Sequence, residues 1–195
     1  MKNEEFILRE ILYQAFEKRN RVLTQSALSK TLALSLSVVN KIIQKLELIG
    51  AVDVKQRNFH VTDPKKILYY WASKRNLHKD VIYSTRVEKP VRVIEKDASN
   101  NSIFTAYTAY KRQWGEVPAD YSEIYMYDDE NAKERYPPRE GVPNIYILKK
   151  DPLMRLYGKK TTIANTFVDL WNMKEWYAKE FVQALEVHIN GILEQ

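Results

Sequence analysis

The side chains best suited to recognition chemistry lie between residues 37 and 57. Asn40 and Gln44 carry amides that can pair bidentately with adenine, and the ammonium group of Lys41 can bind guanine. Val38 can touch a thymine methyl group, and the cations farther along can reach a phosphate or the minor groove. This chemistry predicts contact with double-stranded DNA. The predicted DNA-contacting residues are Ser37, Val38, Asn40, Lys41, Gln44, Lys45, Lys55 and Arg57.

Two short helices joined by a tight turn are expected to position these residues. Thr24 and Ser35 are predicted N-caps, because a hydroxyl there accepts a hydrogen bond from a free backbone N–H of the first turn. The second helix is predicted to end at Gly50, since glycine readily adopts the left-handed conformation that terminates helices. The predicted buried stripe of that helix comprises Val39, Ile42, Ile43, Leu46 and Ile49.

A β-hairpin is predicted directly after the second helix. Residues 52–54 and 59–61 each alternate apolar and polar side chains, on either side of a polar tip at residues 55–58. An amphipathic supporting helix is predicted over residues 3–18. After the hairpin, Asp63 is a predicted N-cap, and the proline that follows suits the first helical position.

This arrangement resembles the winged helix-turn-helix domain of transcriptional regulators. The resemblance covers about the first 75 residues and rests on the run L-S-x-S-x-V-x-K-x-I-x-K-L-x-x-x-G-x-V, which begins at Leu34. It implies that the second helix enters the major groove of DNA with its N-terminal half facing the base edges. The alternative interpretation is a helical hairpin whose solvated polar face contacts another protein.

Charge is distributed unevenly along the chain, which has a formal net charge of +6. Residues 1–79 contain 15 Lys and Arg against 7 Asp and Glu, whereas the remaining residues contain 16 against 18. The cationic excess therefore lies in the part that resembles a DNA-binding domain. Such a distribution is typical of a protein that contacts phosphates.

Composition argues against several other classes of protein. The sequence has no apolar stretch of 18 residues and no signal-peptide core, so a cytoplasmic protein without a membrane partner is predicted. The absence of cysteine leaves no disulfide or thiolate metal site, and the three histidines are scattered. None of the five glycines belongs to a phosphate-binding or nucleophile motif. We therefore predict no cofactor, no metal site and no enzyme activity.

Carboxylates provide the chemistry for an alternative, enzymatic interpretation. Asp128, Asp129 and Glu130 follow a predicted strand, and such a cluster could hold Mg²⁺ for nucleic-acid cleavage. Glu95 and Asp97 are candidate partners of this cluster. The protein would then be a metal-dependent nuclease targeted by its winged helix. The competing interpretation of the same residues is a solvated loop of mixed charge.

The remainder of the chain predicts a second domain. The predicted strands are 81–83, 90–94, 121–127 and 144–149, with the last two paired, and the predicted helices are 103–114 and 174–193. The predicted fold class is therefore α+β, with a winged helix-turn-helix domain at 1–78 and a mixed α/β domain at 79–195. Asp169 lies in an apolar run, where a carboxylate needs partners, so a helix cap or a buried ion pair is predicted.

The second domain, together with the predicted winged helix before it, resembles the antitoxins of abortive-infection type IV toxin–antitoxin systems. The resemblance rests on the segments I-F-T-A-Y-T-A-Y, Y-S-E-I-Y-M-Y and P-N-I-Y-I-L-K and on the tripeptide Val168-Asp169-Leu170. The resemblance implies a repressor of its own operon that counters a nucleotidyltransferase-type toxin. Since most winged-helix repressors bind two half-sites, a homodimer is expected. A third interpretation is a ligand-responsive regulator whose Tyr- and Trp-rich second domain binds a small molecule.

Overall fold

A computed structural model describes residues 1–129 and 131–194 of the protein. The chain divides into two compact units, one formed by residues 1–75 with 162–164 and the other by residues 76–161 with 165–194. Both units combine helices with a β-sheet, so the predicted α+β class is confirmed. Within the described residues, no helix is both long enough and apolar enough to cross a membrane.

The first unit contains four helices and three strands among its described residues. They are α1 (Asn3–Phe16), β1 (Val22–Leu23), α2 (Gln25–Leu32), α3 (Leu36–Leu48), β2 (Val52–Val54), β3 (Phe59–Val61) and α4 (Pro64–Lys74). The strands form an antiparallel sheet in the order β1-β3-β2. Helix α1 packs against α2, α3 and α4, and the apolar stripe of α3 is buried at Val39, Ile42, Ile43 and Leu46. Ile49 is 41% exposed, contrary to the prediction, because α3 ends at Leu48.

Helix boundaries in the first unit follow local chemical signals, as predicted. The Thr24 hydroxyl accepts a hydrogen bond from Ala27 N, and the carboxylate of Asp63 accepts one from Lys66 N. Gly50 follows α3 with a φ of +67°, a left-handed conformation in which a side chain would be strained.

Loss of the Ser35 cap is expected to weaken the turn that precedes α3. The Ser35 hydroxyl accepts a hydrogen bond from Val38 N at 3.4 Å. We expect Ser35→Ala to lower the free energy of unfolding by about 1 kcal/mol, measured by urea denaturation. Ser35→Asp keeps an acceptor oxygen and should retain the stability. Equal losses in both variants would contradict a capping role.

Besides 3-10 helices at Leu77–Asp80 and Met154–Tyr157, the second unit contains a four-stranded sheet and five α-helices among its described residues. They are β4 (Val81–Thr85), α5 (Val91–Asp97), β5 (Ile103–Thr105), α6 (Ala106–Trp114), β6 (Ile124–Asp128), α7 (Ala132–Arg135), β7 (Ile145–Lys149), α8 (Ile163–Trp171) and α9 (Ala178–Leu193). The strand order is β4-β7-β6-β5. Strands β6 and β7 are paired as predicted and run parallel, whereas the other neighbours are antiparallel.

Several sequence-based assignments in the second unit are wrong in whole or in part. Residues 90–94 alternate like a strand, but the fixed φ of Pro90 precedes helix α5 instead. The helix predicted from residue 103 begins only at Ala106, where a φ of +51° turns the chain after strand β5, and it ends at Trp114 as predicted. Asp128 is a buried end of β6 rather than part of an exposed loop. The final helix begins at Ala178, later than the predicted start.

Asp169 lies inside helix α8 and is fully buried. Its Oδ2 atom accepts hydrogen bonds from the hydroxyls of Thr105 at 2.7 Å and Tyr127 at 2.6 Å, and from the amide of Asn165 at 2.9 Å. The carboxylate therefore joins β5, β6 and α8 and is not a cap at the start of a helix. A buried acceptor shared by three donors is a strong internal constraint on this unit.

Candidate functional site

Helix α3 presents a solvent-facing stripe on the side opposite its buried residues. Ser37, Lys41, Gln44 and Leu48 are exposed at steps of four, three and four along the helix, and Leu48 is 87% exposed. Lys41 and Gln44 form no side-chain hydrogen bond or ion pair with any described residue. Both side chains are thus available to an external partner. We call the residues Ser37, Lys41 and Gln44 the α3 outer face.

The start of this face is held by the turn that precedes it. The hydroxyls of Ser37 and Ser35 lie 3.1 Å apart, so Ser37 shares the capping arrangement of the helix. Val38 is half-buried and its backbone N–H donates to Ser35. An exposed Leu36 adds apolar surface at the N-terminus of α3. The first turn therefore has a fixed conformation, with small and apolar side chains facing outward.

Asn40 is half-buried and engaged within the protein. Its amide nitrogen donates to Gln25 Oε1 at 3.1 Å, which joins α3 to the first residue of α2. Gln25 was not among the predicted site residues, because a contact between side chains 15 positions apart has no local signal in the sequence. Asn40 and Gln25 together form a pair of amides, and any contact from Asn40 to a base must accommodate this hydrogen bond.

Lys45 is oriented toward the supporting helices. Its Nζ atom lies 3.2 Å from Glu4 Oε1, and the Tyr70 hydroxyl donates to the same oxygen at 2.8 Å. Burial opposes ionisation of Glu4, but the hydrogen bonds from Tyr70 and Lys45 and the charges of Lys45 and Lys74 outweigh it and lower the pKa of Glu4. Burial and the contact with Glu4 raise the pKa of Tyr70 to about 12. At neutral pH this network therefore holds Lys45 away from the α3 outer face.

The hairpin formed by β2 and β3 supplies the two other predicted cations. Its turn is closed by a hydrogen bond from Lys55 N to Asn58 O at 2.8 Å. Lys55 Nζ also lies 2.7 Å from Asp53 Oδ2, in a largely exposed ion pair. Arg57 is exposed at the tip and forms no ion pair with a described residue. Of these two cations, Arg57 is the one that no internal charge neutralises.

The carboxylates considered for a metal site are engaged elsewhere. Asp128 accepts a hydrogen bond from the Ser102 hydroxyl and lies 3.6 Å from Arg135 Nη1, whereas Glu130 lies outside the described residues. Glu95 accepts hydrogen bonds from Thr108, Lys111 and Tyr121, and Asp97 is paired with Lys89. Within residues 1–129 and 131–194, no three Asp, Glu or His side chains are grouped so as to hold a metal ion.

Comparison of the chain with protein-family models, with curated proteins and with solved structures finds no match.

Proposed function

We propose that the first unit is a winged helix-turn-helix domain that binds double-stranded DNA, with α3 as the recognition helix and the β2–β3 hairpin as the wing. The observation that carries the proposal is the α3 outer face, where Lys41 and Gln44 have no partner among residues 1–129 and 131–194. A helix fits the major groove of B-DNA, and Lys and Gln side chains are suited to the edges of guanine and adenine. The cationic excess of residues 1–79 supports the same interpretation.

The internal contacts divide the predicted DNA-contacting residues into two groups. Lys41, Gln44 and Arg57 are proposed to make direct contacts, with Arg57 reaching a phosphate or the minor groove from the hairpin tip. Ser37 and Val38 are small side chains and are proposed to let the first turn of α3 approach the DNA closely. Asn40, Lys45 and Lys55 each have a partner within the protein and are proposed to contribute less. This division follows from their hydrogen bonds and ion pairs.

We further propose that the protein is a cytoplasmic, non-enzymatic repressor of antitoxin type, which acts on its own operon as a homodimer. The support is the resemblance of most of the chain to type IV antitoxins, through the predicted winged helix and the segment that contains Val168-Asp169-Leu170. The partner would be a toxin of the nucleotidyltransferase type. Sequencing of the flanking genes, followed by co-expression with any nucleotidyltransferase-type toxin encoded there, tests this proposal. The absence of such a gene, or a toxin that remains fully active in the presence of the protein, would contradict it.

DNA binding as a function of salt tests the proposal directly. We expect the affinity for the DNA upstream of the protein's own gene to fall steeply between about 50 and 200 mM salt, because each neutralised phosphate adds about −0.9 to the log–log slope. Three to five contacts would give a slope of roughly −3 to −4.5. Scrambled DNA is the control and should bind more weakly. Negligible binding to both DNAs at low salt would overturn the proposal and indicate a protein-interaction module.

A further inference from the structure

A cleft in the second unit combines cationic side chains with an apolar wall. The proposed binding of DNA by the first unit does not involve this cleft. Its volume is about 680 Å³, within the range of roughly 300–1,000 Å³ that is typical of small-molecule sites. Arg86, Lys89, Arg135 and Arg139 are its cations, and Asp97 is the single carboxylate among the described residues that line it. An excess of positive charge in a concave site favours an anionic ligand.

Hydrogen bonds to two buried side chains of the second unit fix the walls of the cleft. The Asn144 side chain accepts from Val87 N at 2.8 Å and donates to Val87 O at 3.0 Å. The Thr85 hydroxyl donates to Pro137 O at 3.1 Å and accepts from Arg139 N at 3.0 Å. The two backbone segments that carry the cations, residues 86–89 and 135–139, are therefore anchored by hydrogen bonds near the end of β4. The cleft is formed before any ligand binds, which lowers the entropic cost of binding.

Arg86 is the cation best placed to attract a ligand. It forms no ion pair with any described residue, and its aliphatic stem lies close to Gly141. A Cβ atom at Gly141 would be 3.6 Å from Arg86 Cγ, and the φ of +115° there favours glycine. The guanidinium group is thus supported by packing but not neutralised. Such a group can bind two oxygens of a phosphate at once.

Two further cations of the cleft have exposed partners that a ligand can replace. Lys89 Nζ lies 2.7 Å from Asp97, and Arg139 Nη2 lies 3.2 Å from Glu88, with all four side chains at least 40% exposed. Exposed ion pairs of this kind contribute little stability. A phosphate that replaces these carboxylates therefore sacrifices little stability and gains contact with Lys89 and Arg139, while Arg135 stays 3.6 Å from Asp128.

The wall beside these cations is apolar. Pro137 and Pro138 are exposed prolines, Val87 is half-buried, and Tyr136 is almost fully buried behind them. The proline rings and the branched side chain of Val87 have few conformations to lose, so a planar group can pack against them at a low cost in side-chain entropy. A ligand with both a phosphate and a planar apolar group can contact the cations with the former and the apolar wall with the latter.

We propose that this cleft binds a nucleoside phosphate, with its phosphates at Arg86 and Arg139 and its base against Val87, Pro137 and Pro138. The contacts with phosphate come from arginine side chains, so affinity depends on the charge of the ligand. The base contributes through contact with the apolar wall. This site lies entirely within the second unit and does not depend on the proposed DNA-binding function.

Isothermal titration of the full chain with ATP tests the site, with adenosine and inorganic tripolyphosphate as matched ligands. We expect ATP to bind with a dissociation constant of about 10–100 μM and tripolyphosphate at least ~10-fold more weakly. Adenosine should show no measurable binding in the same range. Arg86→Ala is expected to weaken ATP binding by ~10-fold or more, which corresponds to the loss of one charged hydrogen-bonding partner. Arg139→Ala, at a more exposed position, should do the same.

Two control variants separate this site from other cationic surfaces. Arg155→Ala removes an exposed arginine of the same unit that does not line the cleft and should leave ATP binding unchanged. The Lys41→Ala/Gln44→Ala variant should also bind ATP normally, whether or not the protein binds DNA. The proposal is overturned if ATP does not bind at millimolar concentration, if tripolyphosphate binds as tightly as ATP, or if Arg86→Ala and Arg139→Ala both bind ATP like the unmodified protein.

Discussion

Replacing Lys41 and Gln44 together by alanine should abolish the preference of the protein for its own upstream DNA. Each good contact between a side chain and a base edge contributes about 1–3 kcal/mol of discrimination, so loss of both should reduce the ratio of specific to scrambled binding by roughly 100-fold. Both side chains are exposed and have no hydrogen bond or ion pair with a residue that the structure describes, so the fold should be unaffected. Fluorescence anisotropy with the two DNAs, at one salt concentration, measures the ratio.

Lys45→Ala is the matched control for this variant. It removes the same charge one turn farther along α3, but Lys45 is paired with Glu4 and not directed along the α3 outer face. We expect it to retain most of the discrimination and to change stability by less than about 1 kcal/mol. If Lys45→Ala loses discrimination to the same extent as Lys41→Ala alone, α3 does not read DNA through the proposed face.

Asp169→Ala is expected to be the most destabilising single substitution that we propose. The change removes the acceptor shared by Thr105, Tyr127 and Asn165 in a site with no exposure to solvent. Loss of a buried charged acceptor leaves its donors with poorer partners, so the free energy of unfolding should fall by about 3 kcal/mol or more. Urea denaturation of the full chain, followed by circular dichroism, measures the change.

Tyr127→Phe provides the comparison for Asp169→Ala. It deletes a hydroxyl that donates to Asp169 and accepts from the Asn165 amide at 3.3 Å, while Thr105 and Asn165 continue to donate to the carboxylate. The expected loss is about 1–2 kcal/mol, since each hydrogen bond has a net value of about 1 kcal/mol. A larger effect of Tyr127→Phe than of Asp169→Ala would show that the carboxylate is not the centre of this cluster.

Local signals in the sequence allowed the helices of the first unit to be predicted. The caps at Thr24, Ser35 and Asp63 and the left-handed Gly50 each act within four residues, so the chain itself displays them. The buried stripe of α3 follows from helical spacing. Sequence could not reveal the partner of Lys45, because Glu4 lies 41 positions away and meets it only through packing of α1 against α3.

The second unit was harder to predict because its boundaries have weak local signals. Val91 and Val93 alternate with polar residues as in a strand. In a segment this short, the pattern is equally compatible with a helix, and the observed helix buries Ile94. The turn between β5 and α6 occurs at Ala106, with no glycine or proline to mark it. The cleft at the end of β4 also has no sequence signal, since Arg86 and Arg139 lie 53 positions apart.

The strand order of the second unit has a consequence for how the protein emerges from the ribosome. Strand β7 is synthesised last but occupies an interior position, between β4 and β6. Until it appears, β4 has no neighbour and β6 has a free edge, although β5 and β6 can already pair. Unpaired strand edges are the surfaces on which nascent chains associate wrongly. Ribosome-bound chains that end before Ile145 should therefore depend most on chaperones, although the sheet and helices within residues 1–75 can form much earlier.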